Sequence, residues 1–135
     1  MQEWLAPYTS TIISFGAIAA LLLIQLLIAD LAAIKVRHLP GAPIEANHGN
    51  FLFRAARAYA NTNETIAAFI LLALFGILSG ASPEWLNIFA WVYVGARLAH
   101  MLCYYLNLQL LRSMVFGVGV VALFGMLGIG IRAWF

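Results

Sequence analysis

Residues 4–29 read WLAPYTSTIISFGAIAALLLIQLLIA, with no charge between Glu3 and Asp30. A helix of about 20 apolar residues, rising 1.5 Å per residue, crosses the hydrocarbon of a bilayer. This stretch is longer than that, and its length and the acid at Glu3 argue against a cleaved leader. Two further windows carry no charge, from Glu64 to Glu84 and from Arg112 to Arg132. A fourth apolar run, Trp85 to Leu111, is interrupted by Arg97 and His100. The expectation is an all-α integral membrane four-helix bundle, one domain over 1–135. Its spans should run at about 8–35, 50–79, 83–108 and 112–134.

Composition agrees. The chain is 64% hydrophobic and 9% charged, whereas a soluble domain is about a quarter charged. A soluble domain of this size has too little interior to hide so much apolar surface. A net charge of +2 without a basic cluster argues against a nucleic-acid binder. The single cysteine, Cys103, excludes a disulfide framework, and no second histidine stands at ligand spacing, so no metal is expected.

The connections carry turn and cap signals. His38-Leu39-Pro40-Gly41-Ala42-Pro43 forms a loop after span one, and Asn47 or Asn50 caps span two. Ser82-Pro83-Glu84 reads as N-cap, proline at N1 and acid in the first turn of span three. Lys35, Arg37, Arg54 and Arg57 flank the first loop and Arg112 lies at the third turn. The positive-inside rule then places both termini outside the cytoplasm.

Charges inside the spans are costly and face a bundle interior or a wet cavity. In span two, Arg54, Arg57, Asn61 and Glu64 fall within an arc of about 80° at 100° per residue. In span three, Arg97, His100 and Tyr104 repeat the spacing. Both stripes lie toward the cytoplasm, at the level of Lys35, Arg37, Arg112 and Ser113. Facing each other, they predict a pocket whose guanidiniums suit a ligand with carboxylates, with Glu64 accepting from an ammonium or amide or neutralising an arginine. A network that only fixes helix contacts is the plainer alternative. Asp30 is a candidate partner for a pocket arginine across the bundle. Small residues at Ser113 and Gly117, and at Gly16 and Ala20, predict close helix approach.

Arg57-Ala58 followed by Asn61 and Glu64 resembles the span-two signature of the membrane-associated proteins in eicosanoid and glutathione metabolism, the MAPEG family. Arg97, His100 and Tyr104 resemble its span-three pattern, and Arg112-Ser113 looks like the Arg-Ser that opens span four in its prostaglandin synthase members. Departures at Phe53, Tyr59 and Ala60 place the likeness nearer the bacterial branch, which implies an inner-membrane protein. The resemblance implies a homotrimer among membrane lipids, with glutathione as co-substrate held between subunits. Arg54, Arg57, Asn61, Glu64, Arg97, His100 and Tyr104 would line that site, with Lys35 and Arg37 reaching in from a neighbour. Arg112 or Ser113 would stand nearest the thiol, with Tyr104 beside it. The implied activity is a glutathione transferase or peroxidase acting on lipophilic electrophiles or lipid hydroperoxides. The alternative is a non-catalytic lipid-binding or scaffold protein of the same fold.

Overall fold

The computed structural model describes residues 3–135, so the first two residues of the expected 1–135 domain lie outside it. A short 3-10 helix, Glu3–Tyr8, leads into α1 (Thr9–Lys35), followed by α2 (Phe51–Leu78), α3 (Pro83–Tyr105) and α4 (Gln109–Arg132). All four are long and apolar enough to cross a membrane, and their outward faces carry most of the large apolar side chains. The protein is therefore a multi-pass integral membrane protein of the all-α class. With every helical backbone bond made within its own segment, each helix can stand in hydrocarbon without unsatisfied amides.

α3 is the central element. It packs against α1, α2 and α4, and half of its most apolar window is buried. Phe69 of α2 stacks on Tyr93 of α3 with ring centroids 4.4 Å apart, and Phe15 of α1 meets Phe69 edge-on at 5.8 Å. Tyr93 in turn shares a 2.8 Å hydrogen bond with Thr65 Oγ1. Close approach of α3 and α4 depends on glycine. A Cβ at Gly125 would come within 2.6 Å of the Phe89 ring. By contrast, Gly16 and Gly117 have nothing within 4 Å, so the small-residue pairs expected at those positions make no close contact within this subunit. They lie on outward faces of α1 and α4, which periodicity alone cannot distinguish from inward ones when both are apolar.

The helix ends follow local chemistry. Asn50 caps α2 by accepting from the Leu52 N–H at 2.9 Å, while Asn47 accepts from Gly49 N–H and shapes the preceding turn. Ser82 occupies the cap position of α3 with Pro83 at N1, but its hydroxyl makes no capping bond. The last turn differs from the sequence reading. α3 stops at Tyr105 and α4 begins at Gln109, because Asn107 takes a left-handed φ of 58° and reverses the chain within three residues. Arg112 and Ser113 consequently stand in the first turn of α4 rather than at its mouth. Asparagine tolerates this backbone region better than most residues.

Asn87, near the start of α3, joins it to the start of α1. Its Oδ1 accepts from the Thr11 N–H at 2.9 Å and the Thr11 hydroxyl at 2.7 Å, and its Nδ2 donates to the Pro7 carbonyl at 3.1 Å. It thus satisfies an N–H that the first turn of α1 leaves open. Thr11 is fully buried, so Asn87→Ala strands two donors and should cost about 1–3 kcal/mol. Thermal unfolding in detergent checks this; an unchanged midpoint would show that water replaces the asparagine.

Candidate functional site

Arg97 lies at the meeting of α2, α3 and α4 and is completely buried. Its Nη1 donates to Asn61 Oδ1 of α2 at 3.2 Å. The guanidinium carbon stands 5.4 Å from the Tyr93 ring centre and 5.1 Å from that of Phe116 on α4. Among the described residues no carboxylate pairs with it, and its Nε and Nη2 have no hydrogen-bond partner. Two aromatic faces and one amide oxygen are the cation's compensation, a cation–π setting that gains strength where water is absent.

In front of this group opens a cavity of about 210 Å³, lined by Asn61, His100, Tyr104, Arg112, Ser113 and Phe116. Tyr104 and His100 are one turn apart on α3, and their rings meet edge-on at 5.1 Å. The Arg112 guanidinium lies 4.5 Å over the Tyr104 ring. His100 has its Nδ1 buried and without a partner. Ser113 is exposed, its hydroxyl turned back to the Gln109 carbonyl at 3.3 Å. The cavity therefore presents a cation, an imidazole, a phenol and an amide to one small volume, as suits an anionic or strongly polar guest.

The expected span-two stripe divides. Arg54 and Asn61 are about 20° apart around α2 and turn toward α3, whereas Arg57 and Glu64 lie a further 40–60° round. That rotation takes them past the edge of the buried face, and both are exposed on this subunit. Arg54 is occupied elsewhere. Its Nη1 donates to the His48 carbonyl at 2.6 Å and its Nη2 to the Tyr105 carbonyl at 3.5 Å, fastening the loop to the end of α3. Of the four, Asn61 alone reaches the cavity, and Arg97 stands behind the lining rather than in it.

Lys35 and Arg37 are exposed at the end of α1, away from the cavity. Lys35 borders a different, mostly apolar groove of about 480 Å³ with Ile28, Leu31 and Phe51. Asp30 pairs with no arginine among the described residues; it lines a groove of about 390 Å³ with His38 and Tyr59. Two residues of α4 escaped sequence reading. Phe116 forms the cavity wall in front of Arg97, and Gly119 leaves room for its guanidinium. Phe116 was discoverable, since it falls one turn after Arg112 on the same helix face; Gly119 looked like any other glycine of an apolar span.

The chain is thus a four-helix membrane bundle with a polar, arginine-bearing pocket toward the end nearer its basic loop. The model of the MAPEG family matches residues 12–132. The chain belongs to the MAPEG family. No curated protein matches it.

The different employments of Arg54 and Arg57 are separable. Arg54→Ala should lower the unfolding midpoint and speed proteolysis of the loop at 36–50, because two carbonyl contacts vanish, each worth about 1 kcal/mol or more when made to a charged donor. Arg57→Ala should leave both unchanged in the isolated subunit fold. Equal effects would contradict the assignment of Arg54 to the loop.

Proposed function

We propose that this protein is a membrane glutathione transferase or peroxidase whose site is completed by a neighbouring copy of the chain. The observation that carries the reading is the position of Glu64. It stands at the midpoint of α2, between Phe51 and Leu78, and is exposed. A carboxylate at that depth does not face lipid tails. Arg57 is exposed on the same stripe nearer the cytoplasm. Something polar covers this face, and a second subunit with ligand between is the cover that the family resemblance supplies, as a homotrimer. Volume supports it too. The cavity of about 210 Å³ in one subunit falls short of the 300 Å³ or more typical of small-molecule sites, and a tripeptide needs the remaining wall from elsewhere. Lys35 and Arg37, exposed on the opposite flank, are suited to be a neighbour's contribution.

Each group then has work that fits its chemistry. Arg57 takes a carboxylate of glutathione, and Glu64 accepts from its ammonium. Asn61 donates to a carbonyl of the peptide. His100 and Tyr104 offer hydrogen bonds within the cavity. Arg112, the cation on the cavity's open side, stabilises the thiolate, the thiol proton passing to water at the cytoplasmic mouth. In transfer, the thiolate sulfur forms a bond to carbon of a lipophilic electrophile, and the leaving group departs with its electron pair. In peroxide reduction, the sulfur attacks the distal oxygen, the O–O bond breaks with its electron pair going to the alkoxide, and the alkoxide takes a proton from water and leaves as the alcohol. The resulting glutathione sulfenic acid condenses with a second glutathione to give disulfide and water. The apolar flanks of the helices bring the lipid partner from the bilayer.

The purified protein in detergent should bind glutathione and show thiolate absorbance, and should conjugate a generic electrophile. Arg112→Ala should retain binding within a few-fold and lose the thiolate signal, with turnover falling about 10²-fold or more. No binding at millimolar glutathione would overturn the site and the activity together. Binding without thiolate in the parent protein would instead favour the non-catalytic lipid-binding reading.

A further inference from the structure

Gly119 stands against Arg97 from the side opposite Asn61. A Cβ built there would meet Nη2 of Arg97 at 2.7 Å and Nε at 3.4 Å. The guanidinium thus lies in a slot whose floor is the α4 backbone and whose walls are Tyr93 and Phe116. It has one hydrogen bond, to Asn61 Oδ1. With that oxygen bonded to Arg97, the Nδ2 of Asn61 is the group its amide has left to donate at the cavity the residue lines. A cation bonded to the oxygen also withdraws electron density from the amide, which makes the N–H groups better donors.

We infer that Gly119 and Arg97 form a positioning device that sets Asn61 as a hydrogen-bond donor, and so selects a ligand with an acceptor oxygen at that point. Arg97 itself touches no ligand: Phe116 and Asn61 stand between it and the cavity. This deepens the glutathione reading and rests on it for the identity of the acceptor, a peptide carbonyl. The slot itself stands on the geometry alone.

A glycine substitution can also act by loosening the helices, and the molecule contains a matched control. Gly125 faces Phe89 at the same α3–α4 contact, with a Cβ clash of 2.6 Å, about 9 Å further along α4. Gly119→Ala should weaken glutathione binding at least about tenfold, the equivalent of one hydrogen bond, whereas Gly125→Ala should change affinity less than about twofold. The Arg97→Lys variant lacks the clashing Nη2, so adding Gly119→Ala to it should cost less than about twofold further. Asn61→Asp is the second arm. It replaces the donor by a carboxylate facing Arg97, so the unfolding midpoint should hold or rise while glutathione affinity falls about tenfold or more.

Equal losses from the two glycine variants, additive losses from Arg97→Lys and Gly119→Ala, or full affinity in Asn61→Asp would each overturn the device. If the parent protein binds no glutathione, the proposed function fails. The same Arg97–Gly119 cycle, read in unfolding midpoints, then decides the slot: non-additive shifts uphold it and additive shifts dismiss it.

Discussion

A guanidinium with no exposure and no acid beside it is the constraint on which the rest of this bundle turns. Arg97 belongs to the central helix, and the groups that make its burial tolerable come from every helix around the cavity: Asn61 from α2, Tyr93 from α3 itself, Phe116 and the bare backbone at Gly119 from α4. An isolated cation in a low-dielectric interior is expensive. Its surroundings therefore specify how α2, α3 and α4 rotate about their axes, something that apolar contacts with lipid on one side and helix on the other leave loosely defined.

That arrangement separates support from contact. The groups that line the cavity, His100, Tyr104, Arg112 and Asn61, stand in front of the Arg97 centre, and Asn61 is bonded to it. Arg57 and Glu64 lie past the edge of the buried face, exposed, and pair with no opposite charge among the described residues. The site is consequently asymmetric: rigid and aromatic at the back, open and charged at the front.

Much of the architecture was legible in the sequence because a bilayer imposes a length. Charge-free windows, Pro83 at the start of α3 and asparagines before α2 located four helices to within three residues or so. The third turn has the brevity the sequence reading expected but lies three residues earlier. Its position is set by Asn107 in a left-handed conformation, which an apolar run through Leu106, Leu108 and Leu110 does not announce. The candidate site was legible as a set of residue types and less so as a geometry. Arg54 and Arg57 occur in the same short motif, yet one fastens a loop and the other faces outward. Sixty degrees of rotation around α2 decides between them, and no local pattern reports where the neighbouring helix stands.

The sequence by itself determined the class of protein, the number of crossings and the family, since hydropathy and motif spacing are properties of a chain read one residue after another. Only the tertiary structure decided which polar residues meet. It placed Arg97 behind the cavity and Phe116 in its wall, and set Gly119 directly against the Arg97 guanidinium where Gly117 and Gly16 have open space. The reason is steric and electrostatic. Whether a glycine or a charge matters depends on what another helix brings within a few ångströms of it, and that is decided by how the helices rotate and approach, not by their order in the chain.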